Sequence, residues 1–355
     1  MPGRIGPSPE TPSPYLPDPD QRLPGFARAA LLKNMKNFRS CNPGNSRKDR
    51  PKKDFFQLPV AAAPLGRSRG CYDGSDFGNR RPRAPGPNSS GHRIGRACFH
   101  LEVHKFHVNL HVSTYNIHKG FSQFNRRMMI RELRDHLQLL GADIIFLQEV
   151  QGLHSRHAAR FEDWPEEPQY EFLADQVWPE FAYGRNAVYD HGHHGNAILS
   201  RYPILRAENE DVSHHALERR GMLHCEIELP EIAQPLHCIC VHLALHERGR
   251  RHQVGAIIDR LNREVPGDAP VVVAGDFNDW RNHAGKRLEE DLGLEEACRD
   301  HRGKPVRTFP SSFPVLRLDR IYVRGFRVRH THVHHGPMWR RLSDHAALSA
   351  HLQLE

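Results

Sequence analysis

Val271-Val-Val-Ala-Gly-Asp-Phe-Asn278 is the stretch on which the fold turns. Residues 271–274 are uniformly apolar and mostly β-branched, and glycine bounds them, as in a strand buried on both faces. A carboxylate and an amide, Asp276 and Asn278, follow at its end. The same arrangement recurs along the chain. Asn116 follows the apolar residues 112–115, Glu149 follows 144–148, and His242 follows 238–241. Twice the order is reversed: Asp319 precedes Arg320-Ile-Tyr-Val323, and Asp344-His345 precede Ala346-Ala-Leu348. In an antiparallel sheet the end of one strand lies beside the start of its neighbour, so these groups are expected on one rim.

Outward from that stretch, residues 108–115 alternate as a half-buried strand. Residues 127–140 read as a helix with Ile130, Leu133, Leu137 and Leu140 on one stripe, closed by Gly141. Further strands are expected at 143–147, 196–200, 222–229, 235–241, 318–323, 326–332 and 346–352. A short helix is expected at 170–178. A second long helix is expected at 250–265, with Val254, Ile257, Ile258, Leu261 and Val265 on one face. Many strands with two long helices argue for a layered α+β domain rather than a regular βαβ repeat, and there is no internal repeat.

Composition divides the 355 residues in two. The first hundred hold 18 basic and 7 acidic side chains, and the remainder hold 32 and 35, so an overall +8 conceals +11 followed by −3. Fifteen of the 27 prolines but only two of the 27 histidines lie in the first part. Residues 1–104 are therefore expected to be a disordered, basic, Pro/Gly/Arg-rich tail with too few apolar side chains to offset ordering entropy. Only 26–32 offers a helical piece. Such a tail is read as passive, or as an over-long start, in preference to a nucleic-acid arm. Residues 105–355 are expected to form one domain. No apolar run reaches the ~18–20 residues of a membrane span, and the first residues lack a secretory pattern. Seven cysteines without a Cys-x-x-Cys pair point away from disulfide frameworks and zinc ribbons, and toward the cytoplasm.

Three Asp, one Glu, two His and two Asn on one rim suit phosphoester hydrolysis. That reaction needs a base for water, cationic or hydrogen-bonding groups for phosphoryl oxygens, and help for the departing oxygen. Carboxylates that hold a hard divalent ion suit magnesium. Phosphate-loop and serine-elbow motifs are absent, and His246-Glu247 lacks a zinc-protease partner.

Seven strings occur in the order found in the endonuclease/exonuclease/phosphatase family, which the chain resembles over about 108–352. They are Thr114-Tyr-Asn-Ile-His118, Phe146-Leu-Gln-Glu149, Gly195-Asn-Ala-Ile-Leu-Ser-Arg201, Val241-His-Leu243, Gly275-Asp-Phe-Asn278, Leu318-Asp-Arg-Ile-Tyr322 and Ser343-Asp-His345. The resemblance implies a four-layered αββα sandwich of the DNase I type and a metal-dependent phosphoesterase using Mg²⁺, with Mn²⁺ as a substitute. By position, Glu149, Asn116 and Asp344 resemble metal ligands, Asp276 the group that orients or deprotonates water, and Asn278 the contact to the scissile phosphate. His345 resembles the histidine that faces the phosphoryl oxygens, Asp319 its carboxylate partner, and His242 the second histidine of the DNase and sphingomyelinase branches. His118 stands where some members carry an acidic ligand. His118, Asn196 and Arg185 are expected to contact substrate. The expected partner is a phosphoester, either nucleic acid or a phospholipid head group. No stable protein partner is expected, and any membrane contact would be peripheral. The slightly acidic domain makes overall charge a poor argument for DNA, and a lipid substrate would call for exposed apolar groups such as Trp339 or Phe313 near the rim.

Overall fold

The computed structural model describes residues 108–123, 127–230 and 232–355. The expected tail at 1–104 and its helical piece at 26–32 lie outside the described residues.

Twelve strands form two six-stranded sheets among the described residues. The first contains β1 (Asn109–Asn116), β2 (Ile144–His154), β3 (Glu180–Tyr189), β4 (Gly192–Ser200), β11 (Phe326–His334) and β12 (Ala347–Leu354), in the order β11-β12-β1-β2-β4-β3. The second contains β5 (Ile204–Asp211), β6 (Gly221–Ile227), β7 (Leu236–His242), β8 (Val271–Asp276), β9 (Glu295–Glu296) and β10 (Asp319–Arg324), in the order β5-β6-β7-β8-β10-β9. Helices α1 (Ile130–Leu140), α2 (Ser155–Arg160) and α3 (Gln169–Ala174) follow strands of the first sheet. Helices α4 (Glu247–Glu264) and α5 (His283–Leu292) pack on the second, and a single turn, α6 (Trp339–Leu342), precedes β12.

Strand alternation produces the four layers. Val112, Ile144, Phe146 and Ile198 of the first sheet meet Cys238, Cys240, Val272, Ala274 and Ile321 of the second in one buried core. The alternate residues point outward: Tyr115, Ile145 and Leu147 pack with Ile130, Leu133 and Leu137 of α1. Val271 and Val273 pack with Val254, Ile257 and Leu261 of α4. Covering each central strand on both faces explains why 271–274 needs an unbroken apolar run. Cys238 and Cys240 pack in that interior as free thiols. Gly275 is required where it stands: its φ is +149°, and a Cβ there would lie 1.9 Å from the carbonyl oxygen of Val241 on the neighbouring strand.

Several element expectations need correction. The first helix begins at Ile130 rather than 127, because Met128 bridges to Phe121 and the Met129 N–H donates to Gly120 at 2.8 Å. It ends at Gly141, as expected, with φ 64°. The helix expected at 170–178 is the six residues Gln169–Ala174. Strand β2 runs on to His154. Strands β3 and β5 and the ten-residue helix α5 were not expected. Strand β3 carries Gly184, whose missing Cβ makes room for Asn209. Strand β5 is a charged edge strand, the composition that discourages edge-to-edge pairing and hides the strand pattern. Helix α5 buries only Ala284, Gly285, Leu288 and Leu292. No helix among the described residues is long and apolar enough to cross a membrane.

One ion pair lies inside the second sheet. Arg320 and Glu296 are each 1% exposed at the side chain, with Nε and Oε2 4.0 Å apart, and Arg320 Nη2 also donates to the Asp279 carbonyl at 2.9 Å. Removing one member of such a pair strands the other, at about 3–5 kcal/mol, whereas an apolar replacement of both costs far less. Arg320→Ala should therefore lower unfolding free energy by about 3–5 kcal/mol in urea titrations. The double variant Arg320→Met/Glu296→Leu should recover most of it; a double variant as unstable as the single one would contradict this assignment.

Candidate active site

Strand register builds the site. In the second sheet His242 of β7 lies opposite Asp276 of β8, and Asp276 opposite Asp319 of β10, so three polar side chains form a row at one sheet end. Parallel pairing of β1 with β2 brings Asn116 to the corresponding end of the first sheet. A register shift in β2 between Leu147 and Val150, with Glu149 at φ 57°, turns the Glu149 carboxylate toward the same place; bulges commonly re-aim a side chain in this way.

The two sheets meet through Asn116. Its Nδ2 donates to Asp276 Oδ2 at 3.1 Å and to Glu149 Oε1 at 3.4 Å, while Oδ1 accepts the His118 N–H at 3.1 Å. Ser343 Oγ donates to the Asn116 carbonyl at 2.7 Å, which ties the His345 segment to β1. Around Asp276 Oδ2 lie His242 Nε2 at 3.4 Å and His345 Nε2 at 3.8 Å. His345 Nδ1 rests between both oxygens of Asp319, at 2.9 and 3.2 Å. Asp276 Oδ1 accepts the Asn278 N–H at 3.0 Å, and Asn278 Nδ2 donates one of its two hydrogens to the Leu243 carbonyl at 3.0 Å. Four of the six non-glycine residues with positive φ among the described residues, His118, Lys119, Glu149 and Asn278, belong to this rim; such strain concentrates at functional sites.

Burial sets the electrostatics. It raises Asp276 to about 6, with Asp319 adding to the effect and His345 opposing it. Burial pulls His345 down, but Asp319 and Asp276 outweigh it and raise the imidazole to about 10. His242 is driven well below 6.5 by burial and by the charge of Arg220. The two histidines beside Asp276 therefore differ in charge at neutral pH, His345 cationic and His242 neutral. Burial pushes Glu149 up, yet nearby positive charge, that of Lys119 foremost, holds its carboxyl well below the usual range.

The site also contains residues that motif reading does not single out. Lys119 Nζ lies 3.7 Å from Glu149 Oε2. Arg220, 5% exposed, is held by Glu218 Oε1 at 3.1 Å, and its charge acts on His242 and His194. A pair of arginines before a strand is too common a pattern to mark Arg220 in advance. His118 Nδ1 is buried without a hydrogen-bond partner, 3.9 Å from Asp344 Oδ1. Two expected substrate contacts are placed differently. Both Asn196 amide hydrogens serve the Gly221 and Cys240 carbonyls, at 3.0 and 3.3 Å, which makes this side chain a tie between the sheets. Arg185 is exposed on β3 and makes no ion pair or hydrogen bond with the rim cluster through its guanidinium.

Oxygen-rich donors suit a hard divalent ion. Glu149 and Asp344 offer carboxylates and His118 an orphaned Nδ1 at this rim, while Asn116 turns Nδ2 toward Glu149 and its Oδ1 accepts the His118 N–H. The tightest group is different: Asp276, Asp319 and His345 place ligand atoms within 4.8 Å of one another. The Asp319–His345 hydrogen bond accounts for that closeness.

Residues 113–345 match the family described as "Endonuclease/Exonuclease/phosphatase family". The chain belongs to this family. It is 51% identical over 243 residues to the uncharacterized protein YbhP of Escherichia coli strain K12, covering 68% of this chain and 96% of that protein. Among solved structures it superposes on an endonuclease/exonuclease/phosphatase from Beutenbergia cavernae with TM-score 0.55 and 19% identity, over 69% of this chain and 72% of the other. It also superposes on a mannosyl-6-phosphatase from Bacteroides thetaiotaomicron with TM-score 0.53 and 16% identity, over 68% and 99%. Those likenesses establish the DNase I-like fold of this family member.

A pH dependence follows from Asp276. Its folded value of about 6 lies above the ordinary 3.8, so ionising it opposes folding. Its contribution to stability is full below the unfolded value and is lost as pH rises through the folded one. Asp276→Asn should be more stable than the parent at about pH 8, by about 1–3 kcal/mol, and equal to it near pH 4. A variant that melts below the parent at the higher pH would refute this.

Proposed function

We propose that the protein is a metal-dependent phosphoesterase of the phosphodiesterase or nuclease type, in which water attacks phosphorus at the rim described above. The observation that carries this reading is the convergence on Asp276 Oδ2 of Asn116, His242 and His345, within 3.1–3.8 Å. Asp276, raised to about 6, is matched to accepting a proton from water near neutral pH. His345, kept cationic by Asp319, offers Nε2 to the negative charge that grows on the phosphoryl oxygens. Asp319 orients the ring through Nδ1 and fixes its protonation. Asn278 keeps a second amide hydrogen for a phosphoryl oxygen, and neutral His242 has a ring nitrogen suited to a hydrogen bond with the substrate.

Glu149, Asn116 and Asp344 would hold Mg²⁺, or Mn²⁺ in its place, with His118 beside them. When bound, the ion supplies positive charge to the phosphoryl oxygens. Lys119 Nζ, 3.7 Å from Glu149 Oε2, offsets part of that carboxylate's charge. Family membership supports the phosphoester class.

Asp276→Asn and His345→Ala should each reduce turnover of bis(p-nitrophenyl) phosphate by about 10²–10⁴-fold while circular dichroism shows a retained fold. Asp319→Asn should lose less. Chelation with EDTA should abolish turnover, and Mg²⁺ or Mn²⁺ should restore it. A panel of plasmid DNA, RNA, inositol phosphates and phospholipids would define the substrate. Full activity in either of the first two variants would overturn the assignment.

A further inference from the structure

Seven large hydrophobic side chains are conspicuously exposed among the described residues: Leu139, Leu153, Val188, Leu205, Leu217, Phe313 and Met338. Strand directions sort them. Leu139 ends α1 and Leu205 begins β5, at the end of the sandwich away from Asp276, and the other five lie at the active-site end. Three of these stand on loops bonded to the site itself. Leu217 precedes Glu218, whose Oε1 holds Arg220. Phe313 lies on the loop where the Ser311 N–H donates to the Asp344 carbonyl at 2.7 Å. Met338 opens α6, which leads directly into Ser343 and Asp344. Their exposures are 61%, 66% and 56%. Trp339, by contrast, is packed on Tyr115 and His334.

Charge follows the same distribution. Five segments at this end, 213–220, 243–251, 277–283, 307–318 and 335–346, carry ten arginines against four carboxylates, although residues 101–355 together are slightly acidic and 155–167, which follows β2 at the same end, holds two arginines against four carboxylates. Six of those arginines are exposed, Arg340 and Arg341 among them; Arg219 is another of the six, but its Nη1 donates to Asp211 Oδ2 at 3.3 Å. A cationic rim with protruding aliphatic and aromatic side chains has the two features that interfacial binding requires: apolar groups for the acyl boundary and cations for anionic head groups. A nucleic-acid backbone would use the cations, whereas apolar side chains protruding from three separate loops match an acyl boundary more closely than the phosphates of a duplex.

We propose that this rim docks on an anionic lipid surface, with Leu217, Phe313 and Met338 entering the interface and the arginines contacting lipid phosphates. The substrate would then be a phosphoester presented at a membrane, an extension that rests on the phosphoesterase reading. Docking is read separately from catalysis.

The test is co-sedimentation of the full chain with vesicles of roughly one-third phosphatidylglycerol in phosphatidylcholine, with duplex DNA binding measured in parallel. The triple variant Leu217→Ser/Phe313→Ser/Met338→Ser should lower vesicle partition by about tenfold or more and leave DNA binding unchanged. Arg340→Gln/Arg341→Gln should lower it by about fivefold per cation. Leu139→Ser/Leu205→Ser, at the opposite end, should have no effect. If the triple variant misfolds by thermal melting, Phe313→Ser alone carries the test with a smaller loss. Failure of the parent to bind vesicles, undiminished binding by the folded serine variant, or an equal loss in the opposite-end variant would each overturn the proposal. So would a loss of DNA binding as large as the loss of vesicle binding, which would assign the face to nucleic acid. Hydrolysis of bis(p-nitrophenyl) phosphate by the same samples reports the catalytic reading separately.

Discussion

The hydrogen bond from Asn116 Nδ2 to Asp276 Oδ2, 3.1 Å across the gap between two sheets, is the contact on which the site depends. Carboxylates from different sheets have no reason to approach one another, since burial and mutual repulsion both act against it. The amide supplies the compensation on one side, donating to Glu149 as well. On the other side, cationic His345 lies between Asp276 and Asp319. Each negative group is thus balanced from a different element, which allows several acidic side chains to remain in one largely buried place.

Backbone strain is part of the same construction. Glu149, Asn278, His118 and Lys119 all occupy positive φ: Glu149 at the bulge within β2, and the other three just beyond a strand end. The rigid core beneath them supplies what such conformations require: β1, β2, β7 and β8 are buried almost along their whole lengths. Gly275 and the bulge in β2 are the local adjustments that let flat strands end with side chains aimed at one point. A second buried pair, Arg320 with Glu296, sits beneath the site through its bond to the Asp279 carbonyl, and Asp279 in turn accepts the Ala284 N–H at the start of α5. The Gly-Asp-Phe-Asn-Asp segment therefore links the polar rim, a helix start and interior charge in one stretch of chain.

How much was legible in the sequence varied with the physics of each segment. Strands covered on both faces announce themselves by composition, so β7, β8 and β10 could be placed to within a residue or two. Edge and partly exposed segments do not: β5 ends in the unbroken polar run Glu208-Asn-Glu-Asp211, and β3 carries a glycine that serves Asn209 rather than its own strand. Among candidate residues, Asn116, Glu149, His242, Asp276, Asn278, Asp319, Asp344 and His345 stand together at one rim. Asn196 carried the same kind of signal, a polar residue beside a buried strand, yet its amide hydrogens tie β4 to β6 and β7. Lys119 and Arg220 were invisible because a lysine after a strand and an arginine before one are ordinary surface patterns.

The sequence alone determined the family, the strand cores and the identity of the polar groups at their ends, because burial on two faces imposes an apolar run and the chemistry must sit where that run stops. Tertiary structure decided everything that depends on separation through space. It paired Asp319 with His345 rather than with Arg320, and left one histidine beside Asp276 charged and the other neutral. It also turned Asn196 inward, and brought ten arginines together on five segments around the site of a domain that is slightly acidic as a whole. Those outcomes depend on contacts between residues far apart in the chain, such as Asn116 and Ser343, 227 positions apart, and no local pattern encodes them.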